Sequence, residues 1–224
     1  MAEVFKNLDW SIVTDALLTI IPALICITLH ELAHGLVAYR LGDPTAKRAG
    51  RLTLNPIRHI DVTGLIAMVI FRFGWAKPVP VDMRYFKNPK RGMAITALAG
   101  PASNLVIAAA ALLLYGFLFR LLRGSTIGGY VLEMVYIMAY LSTALAVFNI
   151  LPIPPLDGSK VLFSFMSDDA YYKLMRYERF GMILLIALMV LGVTGRYLGV
   201  AVQYVFNLLF TLAELTFGLA EALF

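Results

Sequence analysis

The chain has 224 residues, of which 60% are apolar and 15% charged, with a mean hydropathy of +0.80 and a formal net charge of +5. Soluble domains are nearer half apolar and a quarter charged, so this composition excludes a disordered chain, a nucleic-acid-binding tail and a disulfide-stapled secreted module. It points to a polytopic membrane protein, and the single cysteine, Cys26, rules out an internal disulfide and a cysteine-based zinc cluster.

A bilayer-spanning helix needs roughly 20 apolar residues. In chain order, apolar runs of that kind extend from about Ile12 to Tyr39, Ala94 to Phe119, Tyr130 to Leu151, Phe180 to Val193 and, after a Gly195-Arg196 break, Tyr197 to Phe224. The first run carries Asp9 and Asp15 at its start and no small-residue cleavage site, so it reads as a span and not as a signal peptide. A shorter apolar run, Val62 to Phe71, suits a re-entrant or buried element. Turn-forming stretches separate the runs at Gly42–Pro56, Gly74–Gly92, Gly124–Gly129 and Pro152–Gly158. The expected fold is therefore an all-α polytopic membrane protein of five to six transmembrane segments.

Charge sets the expected orientation. If Val62–Phe71 does not cross, the basic residues from Arg40 to Arg91 share one side with Lys160, Lys173, Arg176 and Arg179, and only Lys6, Arg120, Arg123 and Arg196 lie opposite. Such a bias places the rich side in the cytoplasm and the N-terminus outside.

Two of the three histidines stand in His30-Glu31-Leu32-Ala33-His34. On a helix, positions i and i+4 share a face, so both imidazoles reach one ion. Glu31 lies about 100° round the helix from His30, close enough to hold and deprotonate a water. Neutral imidazoles suit one Zn²⁺ ion, and Glu31 then serves as general base and acid. Ionisable groups deep in an apolar helix point to function. A catalytic zinc takes three protein ligands. The candidate for the third is Asp157, in Asn149-Ile150-Leu151-Pro152-Ile153-Pro154-Pro155-Leu156-Asp157-Gly158, where prolines unwind the chain. Parity supports the pairing: with a re-entrant 62–71 segment, two crossings return the chain to the side of the histidines before Asp157.

The paired motifs resemble the site-2 protease family of intramembrane zinc metalloproteases. HELAHG at His30–Gly35 and NILPIPPLDG at Asn149–Gly158 carry the resemblance. GRLTLNPIRHID at Gly50–Asp61, GWAKPVPV at Gly74–Val81 and AGPASN at Ala99–Asn104 match its compact bacterial and archaeal branch. The resemblance covers about 12–165 and implies that His30, His34 and Asp157 bind zinc, that Glu31 is catalytic, and that substrates are transmembrane segments of other proteins within the lipid bilayer. It implies a single domain over 1–224, with a catalytic core at about 12–165 and C-terminal helices at about 177–224. The Gly124–Gly129 turn is too tight to hold a PDZ domain. A catalytically silent relative that binds membrane helices is the alternative, against which the intact Glu31 argues.

A substrate helix hides its peptide bonds in its own hydrogen bonds and must unwind, so the freed groups need partners. Edge strands at Arg51–Leu54 and Val79–Met83, flanking the re-entrant run, are the expected donors, forming a small re-entrant β element after the first helix. Three further polar residues are candidate substrate contacts. His59 also reads as a structural hydrogen-bond donor beside Asp61, Asn149 as a helix-break cap, and Asn104 as a helix-to-helix hydrogen bond. Cys26, one turn before His30, reads as packing or as an additional ligand.

Overall fold

The computed structural model describes residues 10–64 and 75–223. Helix α1 spans Trp10–Arg40, α2 is a single turn at Thr45–Arg48, α3 spans Pro89–Leu122 and α4 Thr126–Asn149. After a loop come α5 (Asp157–Ser164), α6 (Asp168–Arg176), α7 (Glu178–Val190) and α8 (Val193–Leu223). The starts of the long helices are written locally. Asn88 accepts from the Arg91 N–H with Pro89 in the first turn of α3, and Ser125 accepts from the Gly128 N–H at the start of α4.

Four described helices are long and apolar enough to cross a membrane, over Val13–Arg40, Pro89–Leu122, Thr126–Asn149 and Tyr197–Glu221. The sequence leads one to expect five to six. The difference lies in the run Phe180–Val193, which forms the 13-residue α7. At about 1.5 Å per residue that is some 20 Å, short of a hydrocarbon core of about 30 Å. The chain turns at Leu191-Gly192, where Gly192 adopts φ +70°, and continues as α8 through Gly195-Arg196, the expected break.

The expected β element also differs. Among the described residues there is no strand, only an isolated antiparallel bridge between Ile60 and Ala76, beside a Lys77 N–H donating to the His59 carbonyl. Residues 62–64 form a helical turn, and the rest of the Val62–Phe71 run lies outside the described residues. The physical reason is visible in Val79–Met83. Pro78 and Pro80 have no N–H to give a ladder, the Val79 N–H donates to Glu31, and the Asp82 N–H donates to Asp43.

Helix α3 is the hub. It packs against α1, α4, α5 and α8, while α8 also packs on α4. Small residues make these close contacts, as expected where lipid removes the hydrophobic drive between helices and van der Waals fit decides. Gly116 of α3 sits so near Ala213 and Thr216 of α8 that a Cβ has no room. Around it, Ala111, Leu112, Val135, Ala139, Phe206 and Ala213 form the buried core, rimmed by Tyr115 and Phe217. The opposite face of α8 presents Tyr197, Val200, Tyr204, Leu208, Leu215 and Leu219 outward, the apolar surface a lipid-facing helix offers.

Candidate metal centre

Helix α1 carries His30 and His34 one turn apart, with Glu31 beside them, all three buried. Asp157 reaches them from the other side of the bundle. Pro152, Pro154 and Pro155 keep the chain after α4 from continuing as helix, and it restarts at Asp157, the first residue of α5. Gly158 is required there, because a Cβ would collide with the carbonyls of Ile150 and Leu151.

The three candidate ligand atoms form a nearly equilateral triangle. His30 Nε2 and His34 Nε2 are 3.0 Å apart, and Asp157 Oδ2 is 3.2 Å from the first and 3.1 Å from the second. A tetrahedral zinc with bonds of about 2.0–2.1 Å has ligand–ligand edges of roughly 3.3 Å, so the donor set and its spacing fit that ion. Burial opposes the Asp157 carboxylate, but its hydrogen bonds with the two imidazoles outweigh this and hold its pKa below the ordinary range. Lys160, one turn along α5, brings its Nζ to 3.9 Å from the other carboxylate oxygen.

Helix α3 supplies what surrounds the imidazoles. Residues 96, 100 and 104 recur at intervals of four and so line one face. His34 Nδ1 donates to the Thr96 carbonyl at 2.7 Å. Gly100 has no side chain, and a Cβ there would lie 2.5 Å from both His30 Cε1 and His34 Cε1 and closer still to His34 Nε2. Asn104, fully buried, places its amide nitrogen 3.1 Å from His30 Nδ1. Asn104 thus makes a helix-to-helix contact with His30.

Glu31 is held by backbone. The Val79 N–H donates to Glu31 Oε2 at 2.8 Å. The segment bearing Val79 is pinned by buried Arg51, whose guanidinium donates to the carbonyls of Lys77 at 2.6 Å and Pro78 at 3.2 Å. Burial pulls the Arg51 pKa down, while the nearby Glu31 charge pushes it back up. At the far end of the segment, buried Asp43 accepts from the Asp82 N–H at 2.7 Å. Asp82 is partly buried, and its pKa is lowered chiefly by the Arg84 side chain.

The remaining candidates lie further out. His59 is buried in the loop after α2, its ring hydrogen-bonded to the Thr53 carbonyl at 3.0 Å. Asn149 ends α4 and donates to the Leu145 carbonyl at 2.9 Å. The buried Cys26 thiol points to the Met138 carbonyl at 3.6 Å, and among the described residues the side chains that meet within one ion's reach are His30, His34 and Asp157. Thr96, Gly100, Arg51 and Val79 escape sequence reasoning. Two of them act through backbone atoms, and Gly100 acts by having no side chain. The four-residue spacing of Thr96, Gly100 and Asn104 is the one signal that could have found the stripe.

A buried two-histidine, one-carboxylate triangle with a glutamate alongside offers the donor set that one divalent metal ion could take. The chain belongs to peptidase family M50, the site-2 protease family, whose model matches residues 18–193. It is 38% identical over 176 residues to "Putative zinc metalloprotease YwhC" of Bacillus subtilis, covering 76% of this chain and 79% of that protein. It is 30% identical over 192 residues to "Putative zinc metalloprotease Rip2" of Mycobacterium tuberculosis H37Rv, covering 83% and 71%. An archaeal relative, "Putative zinc metalloprotease MJ0611" of Methanocaldococcus jannaschii, is 33% identical over 59% of this chain and 62% of its own length. No solved structure matches the chain. The family and the four apolar helices make this a protease of the multi-pass membrane class.

Proposed function

We propose that the chain is a zinc endopeptidase that hydrolyses peptide bonds in or near the transmembrane segments of other membrane proteins. His30, His34 and Asp157 hold one zinc ion, and Glu31 is the catalytic acid/base. The observation that carries this reading is the buried triangle of ligand atoms, 3.0–3.2 Å on a side, with Glu31 next to His30 in the chain.

Bound there, zinc supplies a Lewis acid that polarises the scissile carbonyl and acidifies water. Glu31 orients the attacking water and takes its proton as the water oxygen bonds to the carbonyl carbon. The same carboxyl then hands that proton to the amide nitrogen as the C–N bond breaks, so that a carboxylic acid and an amine leave. With the Val79 N–H donating to Glu31 Oε2, the proposed proton carrier is the other oxygen, Oε1. Asn149, at the broken end of α4, is the proposed donor to the substrate carbonyl. His59 holds the loop that carries Thr53.

An unwound substrate strand needs backbone partners. In Val79–Met83 the carbonyls of Val79, Pro80 and Val81 and the Val81 N–H face this need, since the Val79 and Asp82 N–H groups and the Asp82 and Met83 carbonyls are already engaged. Lys47 and Arg48 of α2, Arg51 and Lys87 stand between the C-terminal end of α1 and the N-terminal end of α3, and Lys90 and Arg91 stand in the first turn of α3. By the positive-inside bias this end, with the metal centre near it, faces the cytoplasm, and the N-terminus lies outside.

The test compares the wild type with Glu31→Gln and Asp157→Asn in detergent or liposomes, on a model single-span substrate, with zinc content measured in parallel. Glu31→Gln is expected to keep zinc and lose about 10²–10⁴-fold in cleavage rate. Asp157→Asn is expected to lose both. Full cleavage by Glu31→Gln would refute the mechanism.

A further inference from the structure

The metal-binding reading leaves one hydrogen atom to account for. A histidine that ligates through Nε2 carries its proton on Nδ1 and needs an acceptor for it. His34 has one in the Thr96 carbonyl, 2.7 Å away. His30 Nδ1 faces the Asn104 amide, at 3.1 Å from the nitrogen, and an amide nitrogen only donates. That arrangement suits a His30 whose proton is on Nε2, pointing at Asp157, and such a tautomer has no lone pair for a metal.

Asn104 carries the remedy. Its amide oxygen is buried and has no hydrogen-bond partner, so nothing competes for it. Oxygen and nitrogen of the amide exchange places by a half-turn about Cβ–Cγ, which brings Oδ1 to the position now 3.1 Å from His30 Nδ1. The side chain is fully buried on the α3 face that also carries Thr96 and Gly100. From this we propose that Asn104 is a positioning residue for the metal centre. Its amide oxygen accepts the Nδ1 proton of His30, which selects the tautomer with a free Nε2 and fixes the ring's orientation. The pair of acceptors on α3, a backbone carbonyl for His34 and a side-chain oxygen for His30, then serves one imidazole each. The proposal rests on His30 and His34 being zinc ligands.

The experiment uses the full chain purified in detergent, stripped of metal and titrated with Zn²⁺ against a competing chelator. Asn104→Asp keeps an acceptor of nearly the same shape, and Asn104→Leu keeps the branching and removes the acceptor. Asn104→Ala is a second acceptor-free variant, used in place of Leu if that protein does not fold. Loss of such an outer partner costs about 10–100-fold in metal affinity. The expected result is a loss of that size in Asn104→Leu or Asn104→Ala, with Asn104→Asp within a few-fold of wild type. A purely structural role for Asn104 predicts lower thermal stability with unchanged zinc affinity, and that outcome overturns the proposal. So does an Asn104→Asp variant that loses as much affinity as the acceptor-free ones. If wild type itself binds no zinc, the metal-site reading fails and takes this inference with it. If wild type binds zinc and the acceptor-free variants bind it equally tightly, only the inference fails.

Discussion

Replacing Gly100 with alanine tests whether the space beside the two imidazoles is there for a metal centre. A Cβ built on Gly100 lies 2.5 Å from Cε1 of both His30 and His34, whereas ordinary van der Waals contact begins near 3.4 Å. The rings must therefore retreat by about 0.9 Å, many times the roughly 0.2 Å by which metal–ligand distances vary. Imidazoles are movable ends of side chains, so the metal-free protein can swing them aside and keep its fold. The loaded protein has no such freedom. If overcrowding of about 1–3 kcal/mol falls on the loaded state alone, zinc affinity drops roughly 5- to 150-fold, since 1.4 kcal/mol is tenfold. The assay is competition for Zn²⁺ against a chelator in detergent, with cleavage of a single-span substrate followed beside it. Ala102→Leu, on the exposed side of the same helix, is the control and is expected to change neither. The signature is a melting temperature of the metal-free Gly100→Ala protein near that of wild type combined with weakened zinc binding. Wild-type zinc affinity and turnover in Gly100→Ala would show that the imidazoles do not need that space when loaded.

Three further outcomes follow from the packing. Arg51→Ala strips the carbonyls of Lys77 and Pro78 of their donors, which is expected to lower stability by about 1–3 kcal/mol and to slow cleavage as Val79 loses its hold on Glu31; thermal unfolding and substrate turnover read the two effects. Gly116→Val drives a side chain into Ala213 and Thr216, and overpacking of about 1–3 kcal/mol should appear as a lower melting temperature, because α8 packs against α3 and α4 in one bundle. Cys26→Ala is expected to leave zinc content unchanged, the thiol being directed at the Met138 carbonyl; metal analysis of the purified variant checks this.

Residues whose chemistry resides in their own side chains, at helical spacing, can be read from sequence. His30, Glu31 and His34 are of this kind, and Asp157 joins them because counting crossings places it on the same side. The structure brings His30, His34 and Asp157 within one ion's reach. Residues whose contribution is backbone or empty space leave no such trace. The Thr96 carbonyl and the Val79 N–H belong to any residue type, and Gly100 is one small residue among many in α3. Hydropathy likewise registers how apolar Phe180–Val193 is but not the turn at Gly192 that confines α7 to 13 residues.

The run Val79–Met83 shows how a local pattern and a tertiary contact diverge. Alternating Val79, Val81 and Met83 reads as an edge strand, and an edge strand would offer every second N–H to a partner. Prolines at 78 and 80 remove two of those donors. The Val79 N–H, the donor left between them, points inward to Glu31 and not outward to a neighbouring strand. Arg51 reinforces this choice by taking the carbonyls of the two residues before Val79. The segment's position is therefore set by two carboxylates, Glu31 in α1 and Asp43 just after it, and by the Arg51 guanidinium. On the proposed mechanism, a substrate strand that pairs with this segment would lie directly alongside the backbone that holds Glu31, and substrate binding would then be linked to the orientation of that carboxylate.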